Sequence, residues 1–335
     1  MSAPAAMAVP SAADEGPVAA TPSLRGRDLL GIGDLTPAEL ASLLESAAAL
    51  KAEWALARAH REQPLAGRSV VLIFQKPSLR TRVSFELAAQ QLGGRSLYLS
   101  DADVGLGRRE SADDIARTLD RWVDALVART FAQATVQELA SAMTVPVINA
   151  LSDLEHPCQA LADLLTLQER FGRLEGLTVA FVGEGNNVFH SLALGCAALG
   201  IHIRLACPPG YGPDLDRMGA VTARGQASGG RLLLTHDPRT AVEGADCVYT
   251  DTWVSMGSED QAVARRRAFA NYRVDTALMA AAAPHAVFMH CLPAHRGEEV
   301  TDDVIDGPRS VVFDQAENRL HVQKAFLAAS VGPPA

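Results

Sequence analysis

The strongest constraint on the fold is an alternation of short apolar runs with stretches of helical periodicity along almost the whole chain. The runs predict strands over residues 70–74, 96–100, 125–129, 146–150, 178–182, 202–207, 231–235, 247–250, 286–290 and 310–313. Repetition of strand, helix and strand indicates parallel sheets with helices on both faces. At 335 residues the chain is long enough for two such domains. We therefore predict an α/β fold of two tandem, doubly wound domains.

Helix signals fill the intervals between these runs. Thr36 is followed by Pro37 and Glu39, and Thr135 is followed three residues later by Glu138, so both patterns indicate a capping box at a helix start. Further helices are predicted from residues 84 and 111 and over residues 156–170, 187–199 and 316–329. Ligands of such sheets bind beyond the carboxyl ends of the strands, which directs attention to the loops that follow them.

Composition and charge exclude several classes of protein. Apolar residues make up 48% of the chain and charged residues 21%, which is typical of a globular protein. The formal net charge of -9 argues against non-specific nucleic-acid binding, because that binding depends on neutralising many phosphates. No apolar run approaches the roughly 18 residues of a membrane-spanning helix. Five cysteines without a C-x-x-C pair fit a reducing compartment. We predict a cytoplasmic protein that binds neither nucleic acid nor membrane.

Residues 1–22 differ in composition from the rest of the chain. They are rich in Ala, Ser and Pro, and they lack the basic and apolar regions of a secretory signal. Because they offer little apolar surface to bury, we predict a disordered tail.

A group of hydroxyl and guanidinium side chains follows the predicted strand that ends at Phe74. Ser78, Arg80, Thr81 and Arg82 stand in the turn that leads into the next helix. Free backbone N–H groups, the helix dipole and arginine donors would then surround one point, which indicates a phosphate cradle. The alternative is a solvated basic turn in which Ser78 is only a helix cap.

A second glycine-rich turn follows the predicted strand over residues 178–182. Gly183 and Gly185 begin a dinucleotide-binding pattern, but Val188 stands where that pattern needs a third glycine. The next strand ends in Cys207 rather than in an acidic ribose ligand, which further disfavours a nicotinamide cofactor. Asn187 could bind a carboxylate through its amide or serve as a plain helix cap.

Two histidine and cysteine pairs also lie near strand ends. His156 and Cys158 start a predicted helix, while His290 and Cys291 end a strand. Their spacing does not match a structural zinc site, so we predict no metal. The Cys291 thiol could be a nucleophile or a buried apolar group.

The loop that begins at Asp251 suits an amino acid. Asp251, Ser255 and Gly257 could hold an amino group while leaving backbone N–H groups free for a carboxylate. Together with the cradle near Ser78, this loop predicts one pocket for a phosphate-like dianion and another for a zwitterion.

Taken together, these motifs resemble the aspartate and ornithine carbamoyltransferase family, and its ornithine-using members most closely. The similarity extends from about Leu24 to Leu327. The motifs that carry it are S-L-R-T-R at 78–82, R-T at 129–130, H-P-C-Q at 156–159, N-N at 186–187, the D-x-x-x-S-M-G loop at 251–257, H-C-L-P at 290–293 and E-N-R at 317–319.

The resemblance implies transfer of a carbamoyl group from carbamoyl phosphate to the δ-amine of ornithine, without a cofactor. The implied carbamoyl-phosphate subsite comprises Ser78, Leu79, Arg80, Thr81, Arg129, His156, Gln159, Cys291, Leu292 and Arg319. The implied ornithine subsite comprises Asn187, Asp251, Ser255 and Met256. The residues implied to take part in catalysis are Arg80, Arg129, His156, Asp251 and Cys291.

The resemblance also implies an organisation of the whole chain. A carbamoyl-phosphate-binding domain would span residues 23–155 and be completed by a C-terminal helix at 316–331. An interdomain helix at 156–172 would lead to an ornithine-binding domain at 173–315. The family assembles as a homotrimer with active sites between subunits, so a homotrimer is expected here.

This sequence departs from the family pattern at five positions. Leu79 replaces a threonine of the phosphate turn and resembles the enzymes that carbamoylate N-acylated ornithine, while Gly105 replaces a glutamine that reaches a neighbouring subunit. Arg109, Ile115 and Glu184 also differ from the usual residues. Two alternatives therefore stay open: a carbamoyltransferase with a different amine acceptor, and a catalytically silent paralogue that only binds ligand.

Overall fold

The computed structural model describes residues 24–254 and 259–332. The first of its two sheets has four parallel strands in the order β2-β1-β3-β4. These strands are β1 (Ser69–Phe74), β2 (Arg95–Ser100), β3 (Ala125–Arg129) and β4 (Val147–Leu151). Every residue of β3 is buried, as expected for a strand that helices cover on both faces.

The helices around this sheet come from the first part of the chain. They are α1 (Pro37–Ala57), α2 (Leu79–Gln91), α3 (Asp101–Val104), α4 (Ala112–Leu119) and α5 (Gln133–Ala142), and a short 3-10 helix, Ile32–Asp34, precedes them. The capping box at the start of α1 is confirmed. The Glu39 backbone N–H donates to Thr36 Oγ1 at 3.2 Å, and the Thr36 N–H donates to Glu39 Oε2 at 2.9 Å.

The second sheet has five parallel strands in the order β7-β6-β5-β8-β9. They are β5 (Thr178–Val182), β6 (His202–Ala206), β7 (Leu232–Thr235), β8 (Cys247–Thr250) and β9 (Val287–His290). Its own helices are α7 (Asn187–Ala198), α8 (Leu215–Ser228), α9 (Pro238–Val242), α10 (Ala262–Phe269), α11 (Thr276–Met279) and α12 (Asp302–Ile305), with a 3-10 turn at Glu259–Gln261.

Two long helices join the sheets. They are α6 (Pro157–Phe171) and α13 (Val312–Val331), which pack against each other. α6 also packs on α7, and α13 packs on α1 and α2, so each helix contacts parts of the chain far away in sequence. One apolar cluster runs through both halves and includes Phe74 of β1 and Phe181 of β5. The predicted α/β fold with two parallel sheets is confirmed.

The strand order reverses once in each sheet. In the first sheet the reversal lies between β1 and β3, and in the second it lies between β5 and β8. A crevice opens beyond the strands at such a reversal, and ligands bind there. The motifs that carry chemistry follow these four strands, together with β4 and β9, so topology brings them to two facing crevices.

Three predictions about local structure are wrong. Residues 310–313 were predicted as a strand, but Ser310 forms only an isolated bridge with Phe288, and α13 begins at Val312. A short apolar run cannot distinguish a buried strand from the buried start of a helix, and here burial belongs to the helix.

The capping box predicted at Thr135 and Glu138 is also wrong. α5 begins at Gln133, two residues before Thr135, and its N-cap residue Ala132 makes no side-chain cap. The Gln133 N–H instead donates to Asp153 Oδ1 at 2.8 Å, so a carboxylate from a distant loop caps the helix. Similarly, α2 starts at Leu79 rather than near residue 84, because Ser78 caps it.

Neither a disulfide nor a membrane-spanning helix is found among the described residues. All five cysteines are free. No helix within residues 24–254 and 259–332 is both long enough and apolar enough to cross a bilayer.

Candidate active site

A cleft of about 380 Å³ lies between the carboxyl ends of the two sheets. Most of the predicted site residues line it, and they come from both halves of the chain: Ser78, Leu79, Arg80, Arg129, His156, Asn187, Asp251, Cys291, Leu292 and Arg319. Thr81 and Gln159 are buried directly behind this lining. Ser255 and Met256 lie outside the described residues, so their predicted roles stay predictions.

The N-terminus of α2 forms one wall of the cleft. Ser78 Oγ accepts from the Thr81 backbone N–H at 3.3 Å and donates to Thr81 Oγ1 at 3.0 Å, which holds the turn closed. Leu79 is the first helical residue, and it is 76% exposed. Its backbone N–H is among those that an α-helix leaves without an internal partner, so loss of the usual threonine hydroxyl does not remove this donor.

Three arginines converge at this end of the cleft. They come from α2, from the end of β3 and from α13, and they are Arg80, Arg129 and Arg319. Burial, followed by the charges of Arg319 and Arg80, lowers the pKa of Arg129 to about 10. The Nε atoms of Arg129 and Arg319 are buried and make no hydrogen bond to any described residue. Crowded, incompletely bonded cations favour an anionic ligand.

His156 stands at the N-terminus of α6, beside these arginines. Its backbone N–H donates to Ser191 Oγ at 2.8 Å, which ties the start of α6 to α7. Burial, and then the nearby positive charges of the three arginines, hold the pKa of His156 well below its ordinary value. The imidazole is therefore neutral near pH 7 and can donate one hydrogen bond without adding charge. Its Nδ1 makes no hydrogen bond to any described residue.

Gln159 lies one turn further along α6, beneath Arg319. Its Oε1 accepts from Arg319 Nη1 at 3.2 Å, and its Nε2 donates to Asp163 Oδ1 at 2.9 Å. Arg319 Nη2 also donates to Thr81 Oγ1 at 2.8 Å. These contacts join α2, α6 and α13 below the cationic end of the cleft.

The opposite wall is the turn after β9. Cys291 Sγ donates to Asp251 Oδ1 at 3.0 Å. Burial, together with the negative charge of Asp251, raises the pKa of the Cys291 thiol well above its usual value. The thiol is protonated at neutral pH and acts as a hydrogen-bond donor, which argues against the nucleophile that the sequence left open.

Asp251 is held by groups from both sides of the crevice in the second sheet. Asn186 Nδ2 donates to its Oδ2 at 2.8 Å, and the Thr252 N–H donates to its Oδ1 at 2.7 Å. Asn186 is also the cap of α7, accepting from two backbone N–H groups. Asn187 lines the cleft, and its Nδ2 donates to the Ser152 carbonyl oxygen at 2.6 Å, across to the loop after β4.

The structure gives physical reasons for several departures from the family pattern. Gly105 has φ +66°, and a Cβ there would lie 2.8 Å from that of Arg109, so this turn requires glycine. Ile115 is buried in the apolar cluster of the first sheet. Glu184 pairs with Arg265, which also donates to the Trp253 carbonyl oxygen at 2.6 Å. Of the five departures, only Leu79 lines the cleft.

Some residues of the site were missed by sequence reasoning. Lys76, Pro293 and His295 also line the cleft. Asp163 and Gln315 lie below it, and burial raises the pKa of Asp163 to about 7. Asp163 follows Gln159 by four residues, so helical periodicity could have placed both on one face of α6. No local pattern points to Gln315.

The cluster of Asp251, His290 and Cys291 has atoms of the types that bind metals, all within 4.8 Å of one another. Both ring nitrogens of His290 are already occupied, however. Nδ1 accepts from the Leu292 N–H at 2.9 Å, and Nε2 lies 3.1 Å from Glu299 Oε1. A metal would need one of these nitrogens, so the histidine is arranged to support the turn rather than to bind an ion.

Comparison with known proteins agrees with this geometry. Residues 27–169 match the domain family described as "aspartate/ornithine carbamoyltransferase, carbamoyl-P binding domain". Residues 175–330 match the corresponding Asp/Orn binding domain. The chain belongs to the aspartate/ornithine carbamoyltransferase family. Its matches to the two domain families meet near the C-terminal end of α6.

Individual carbamoyltransferases are similar over almost their full length. The ornithine carbamoyltransferase of Pyrococcus abyssi is 51% identical over 310 residues, which are 92% of this chain and 97% of that protein. That of Symbiobacterium thermophilum is 52% identical over 305 residues, which are 91% and 98% of the two chains. A solved structure of the ornithine carbamoyltransferase from Pyrococcus furiosus superposes with a TM-score of 0.90 at 50% identity, covering 93% of this chain and 99% of that one.

Proposed function

We propose that the protein transfers the carbamoyl group of carbamoyl phosphate to the δ-amine of L-ornithine, giving L-citrulline and phosphate. The observation that carries the proposal is the polarity of one cleft. Three arginines line it from α2, β3 and α13, and the carboxylate of Asp251, which accepts from the Cys291 thiol, lines it from the turns after β8 and β9. Relatives about 50% identical over nearly the whole chain bear the name ornithine carbamoyltransferase, which supports this choice of substrates.

In the proposed donor complex, the α2 wall binds the phosphate through Ser78, Thr81, the Leu79 N–H and Arg80. Arg129 and Arg319 face the same dianion from the other side. Helix N-termini and arginines are the groups that proteins commonly use for phosphate. Gln159 and the backbone carbonyls of residues 291 and 292 then accept from the carbamoyl NH2.

The proposed chemical step is attack of a neutral amine on the carbamoyl carbon. A C–N bond forms while the C–O bond to phosphate breaks, and phosphate leaves with the electron pair and takes one proton from the attacking nitrogen. Negative charge develops on the carbonyl oxygen, where Arg129 and neutral His156 donate hydrogen bonds. Donors of this kind each lower a barrier by about 3 to 4 kcal/mol.

The acceptor must lose a proton before it can attack. An amine such as the ornithine δ-amine has a pKa near that of lysine, about 10.4. In the proposed complex Asp251 and the Cys291 thiol lie next to this amine, while Asn187, Ser255 and Met256 bind the rest of the amino acid. The Asp251 carboxylate favours the ammonium form on binding, whereas burial and the arginine charges favour the neutral form, so the amine gives its proton to solvent before it attacks.

A second acceptor is favoured by one observation, the exposed Leu79 at the mouth of the cleft. An apolar side chain there could contact the acyl group of an N-acylated ornithine. The discriminating experiment offers carbamoyl phosphate with ornithine, N-acetylornithine, lysine or putrescine, and scores phosphate release and carbamoylated product by mass spectrometry. Turnover with ornithine supports the proposal. Preference for N-acetylornithine supports the second acceptor, and no turnover with any amine supports a silent paralogue.

We propose that the carbamoyl-phosphate-binding domain comprises residues 23–155 and 316–331, that residues 156–172 form the connecting helix, and that residues 173–315 form the ornithine-binding domain. The mutual packing of α6 and α13 supports this division. Limited proteolysis that cuts within residues 173–315 while protecting residues 316–331 would agree with it. Early release of the C-terminal helix would contradict it.

We also propose a homotrimer in the cytoplasm. Leu79, Val83 and Leu87 form an exposed apolar stripe along α2, and Leu97 of the edge strand β2 is exposed as well. Exposed apolar patches of this kind mark interaction surfaces. Light scattering would give the mass of the assembly. Two relatives, from Pyrococcus furiosus and Campylobacter jejuni, are named anabolic, which supports a role in arginine biosynthesis.

A further inference from the structure

We infer that Asp163 is a positioning residue for the donor: it fixes the side-chain amide of Gln159 so that the amide oxygen, and not the NH2 group, is presented on the Arg319 side. The inference rests on the proposed function, because it assigns the NH2 of a carbamoyl donor as the partner of that oxygen. By orienting Gln159, Asp163 would favour binding of a carbamoyl group over an acetyl group of the same shape.

Above the Asp163 pKa of about 7, the amide of Gln159 lies between two opposite charges. Its Nε2 donates to Asp163 Oδ1 at 2.9 Å, and its Oε1 accepts from Arg319 Nη1 at 3.2 Å. A flipped amide would turn its NH2 group towards a guanidinium and its oxygen towards a carboxylate. Two charge-assisted hydrogen bonds would then become two repulsive contacts in a buried, low-dielectric environment. The charges on both sides therefore determine the orientation.

Asp163 is itself held rigidly. It is fully buried, and its Oδ1 also accepts from Gln315 Nε2 at 2.7 Å. Gln315 in turn accepts from the His290 backbone N–H at 3.0 Å and donates to the Tyr249 hydroxyl at 3.1 Å. The carboxylate is thus braced from α13 and from the end of β9, so it cannot follow Gln159 if the amide rotates.

Asp163 has no place in the chemical step. It is separated from the cleft by Gln159 and Arg319, and its Oδ2 is buried without a hydrogen bond to any described residue. A buried carboxylate lowers stability unless its interactions compensate for the loss of water. Through its hydrogen bond to Gln159, Asp163 acts on the donor subsite without touching the reacting atoms.

A fixed acceptor oxygen distinguishes two donors of the same size. A carbamoyl NH2 donates a hydrogen bond to Gln159 Oε1, whereas the methyl of an acetyl group leaves that oxygen unpaired. A site built to hydrogen-bond a group rejects the analogue that lacks it, because a buried polar atom is then left without its partner. If the amide could flip, its NH2 group would face the ligand and this discrimination would be lost.

The test uses two stable phosphonates, phosphonoacetamide and acetonylphosphonate, which differ only in NH2 against CH3. Calorimetry on the full-length protein at about pH 8.5, above the Asp163 pKa of about 7, gives the ratio of their dissociation constants. The expected result is a clear preference of the wild type for phosphonoacetamide and a ratio about tenfold smaller in Asp163→Asn. Asparagine keeps the size of the side chain but removes the charge. An unchanged ratio in a folded Asp163→Asn protein would overturn the inference.

The matched control is Thr166→Val on the same helix. Thr166 Oγ1 is buried and accepts from Asn318 Nδ2 at 2.9 Å, so this variant also removes a buried hydrogen bond between α6 and α13. It does not contact Gln159, and its ratio should equal that of the wild type. Inorganic phosphate should bind all three proteins with similar affinity. If both variants lower the preference for phosphonoacetamide over acetonylphosphonate equally, the role of Asp163 is merely structural and the inference is overturned.

A second measurement needs no variant. Neutron diffraction from crystals of the wild type with phosphonoacetamide would locate the deuterium atoms of Gln159. Deuterium on the atom facing Asp163 supports the inference, and deuterium facing Arg319 or the ligand overturns it. If the wild type binds neither phosphonate, the proposed function fails as well. Binding of phosphonoacetamide without an effect of Asp163→Asn removes the positioning role alone.

Discussion

The two ends of the cleft are prepared for their ligands in different ways. At the donor end, Nε of Arg129, Nε of Arg319 and Nδ1 of His156 are buried without a hydrogen bond to any described residue. At the acceptor end, Asn187 donates to the Ser152 carbonyl oxygen and Asp251 accepts from three groups. The first end offers unsatisfied donors to an anion. The second must exchange internal partners for those of the substrate.

This difference follows from charge. Arginine side chains only donate hydrogen bonds and repel one another, so three of them brought together can bind a dianion. A carboxylate and neutral amides can satisfy one another, and they do so around Asp251. We therefore expect the donor end to bind its ligand without help and the acceptor end to bind weakly until the donor is present.

The largest expected effect is at the donor end. Arg129→Met should lower kcat/KM by about two to three powers of ten, because it removes a buried donor to the developing oxyanion. Steady-state kinetics at saturating ornithine would measure this. Arg68→Met is the control, since Arg68 lies on the surface in a pair with Asp124, and it should keep wild-type activity. A loss of less than threefold in Arg129→Met would contradict the role of this arginine.

A smaller effect, confined to one ligand, is expected at the acceptor end. Asp251→Asn should raise KM for ornithine by about a hundredfold, because a carboxylate partner of the amine becomes neutral. Its dissociation constant for phosphonoacetamide, measured by calorimetry, should stay within about twofold of the wild type. Equal losses for both ligands would mean that Asp251 also contributes to the donor subsite, which would contradict its assignment to the acceptor end.

Cys291 tests whether the acceptor end uses covalent chemistry. Cys291→Ser should retain at least about a tenth of the activity, because serine can still donate to Asp251 and the thiol pKa is raised. Iodoacetamide at pH 8 should label Cys291 more slowly than free cysteine, as followed by mass spectrometry. Complete inactivation of a folded Cys291→Ser protein would restore the nucleophile hypothesis.

The pH dependence of the free energy of unfolding reports the pKa of His156 in the folded protein. In the unfolded chain His156 gains a proton near its ordinary pKa of about 6.5, whereas in the folded protein its pKa is well below that value. Its neutral form therefore contributes stability that is present above pH 6.5 and lost as pH falls below it. Between pH 6.5 and 5, the free energy of unfolding measured with urea should fall less steeply for His156→Asn than for the wild type. Identical slopes would place the histidine pKa at its ordinary value.

Sequence reasoning reached the fold and most of the cleft lining because those signals are local. Apolar periodicity predicts strands and helices, and motifs such as residues 78–82 lie directly after strands whose ends must meet. It was wrong where tertiary contacts prevail: Asp153 caps α5 in place of Thr135, and the apolar run at residues 310–313 is buried as a helix start.

The supporting residues of the site show the same limit. Gln315 and Tyr249 reach Asp163 across more than 80 residues of sequence, and nothing near them in the chain announces this. Likewise, the satisfied state of Asn187 depends on the carbonyl oxygen of Ser152, a backbone group that residue types do not reveal. The sequence motifs therefore predict which residues line the cleft, but not which of their side chains already have hydrogen-bond partners within the protein.

The most direct test of the two-ended cleft is calorimetry with each ligand alone and then with both. We predict that phosphonoacetamide binds the free protein, that ornithine shows little binding alone, and that ornithine binds once phosphonoacetamide is present. By linkage, ornithine should then tighten phosphonoacetamide binding by the same factor. Strong binding of ornithine to the free protein, or no binding of phosphonoacetamide in its absence, would contradict the account.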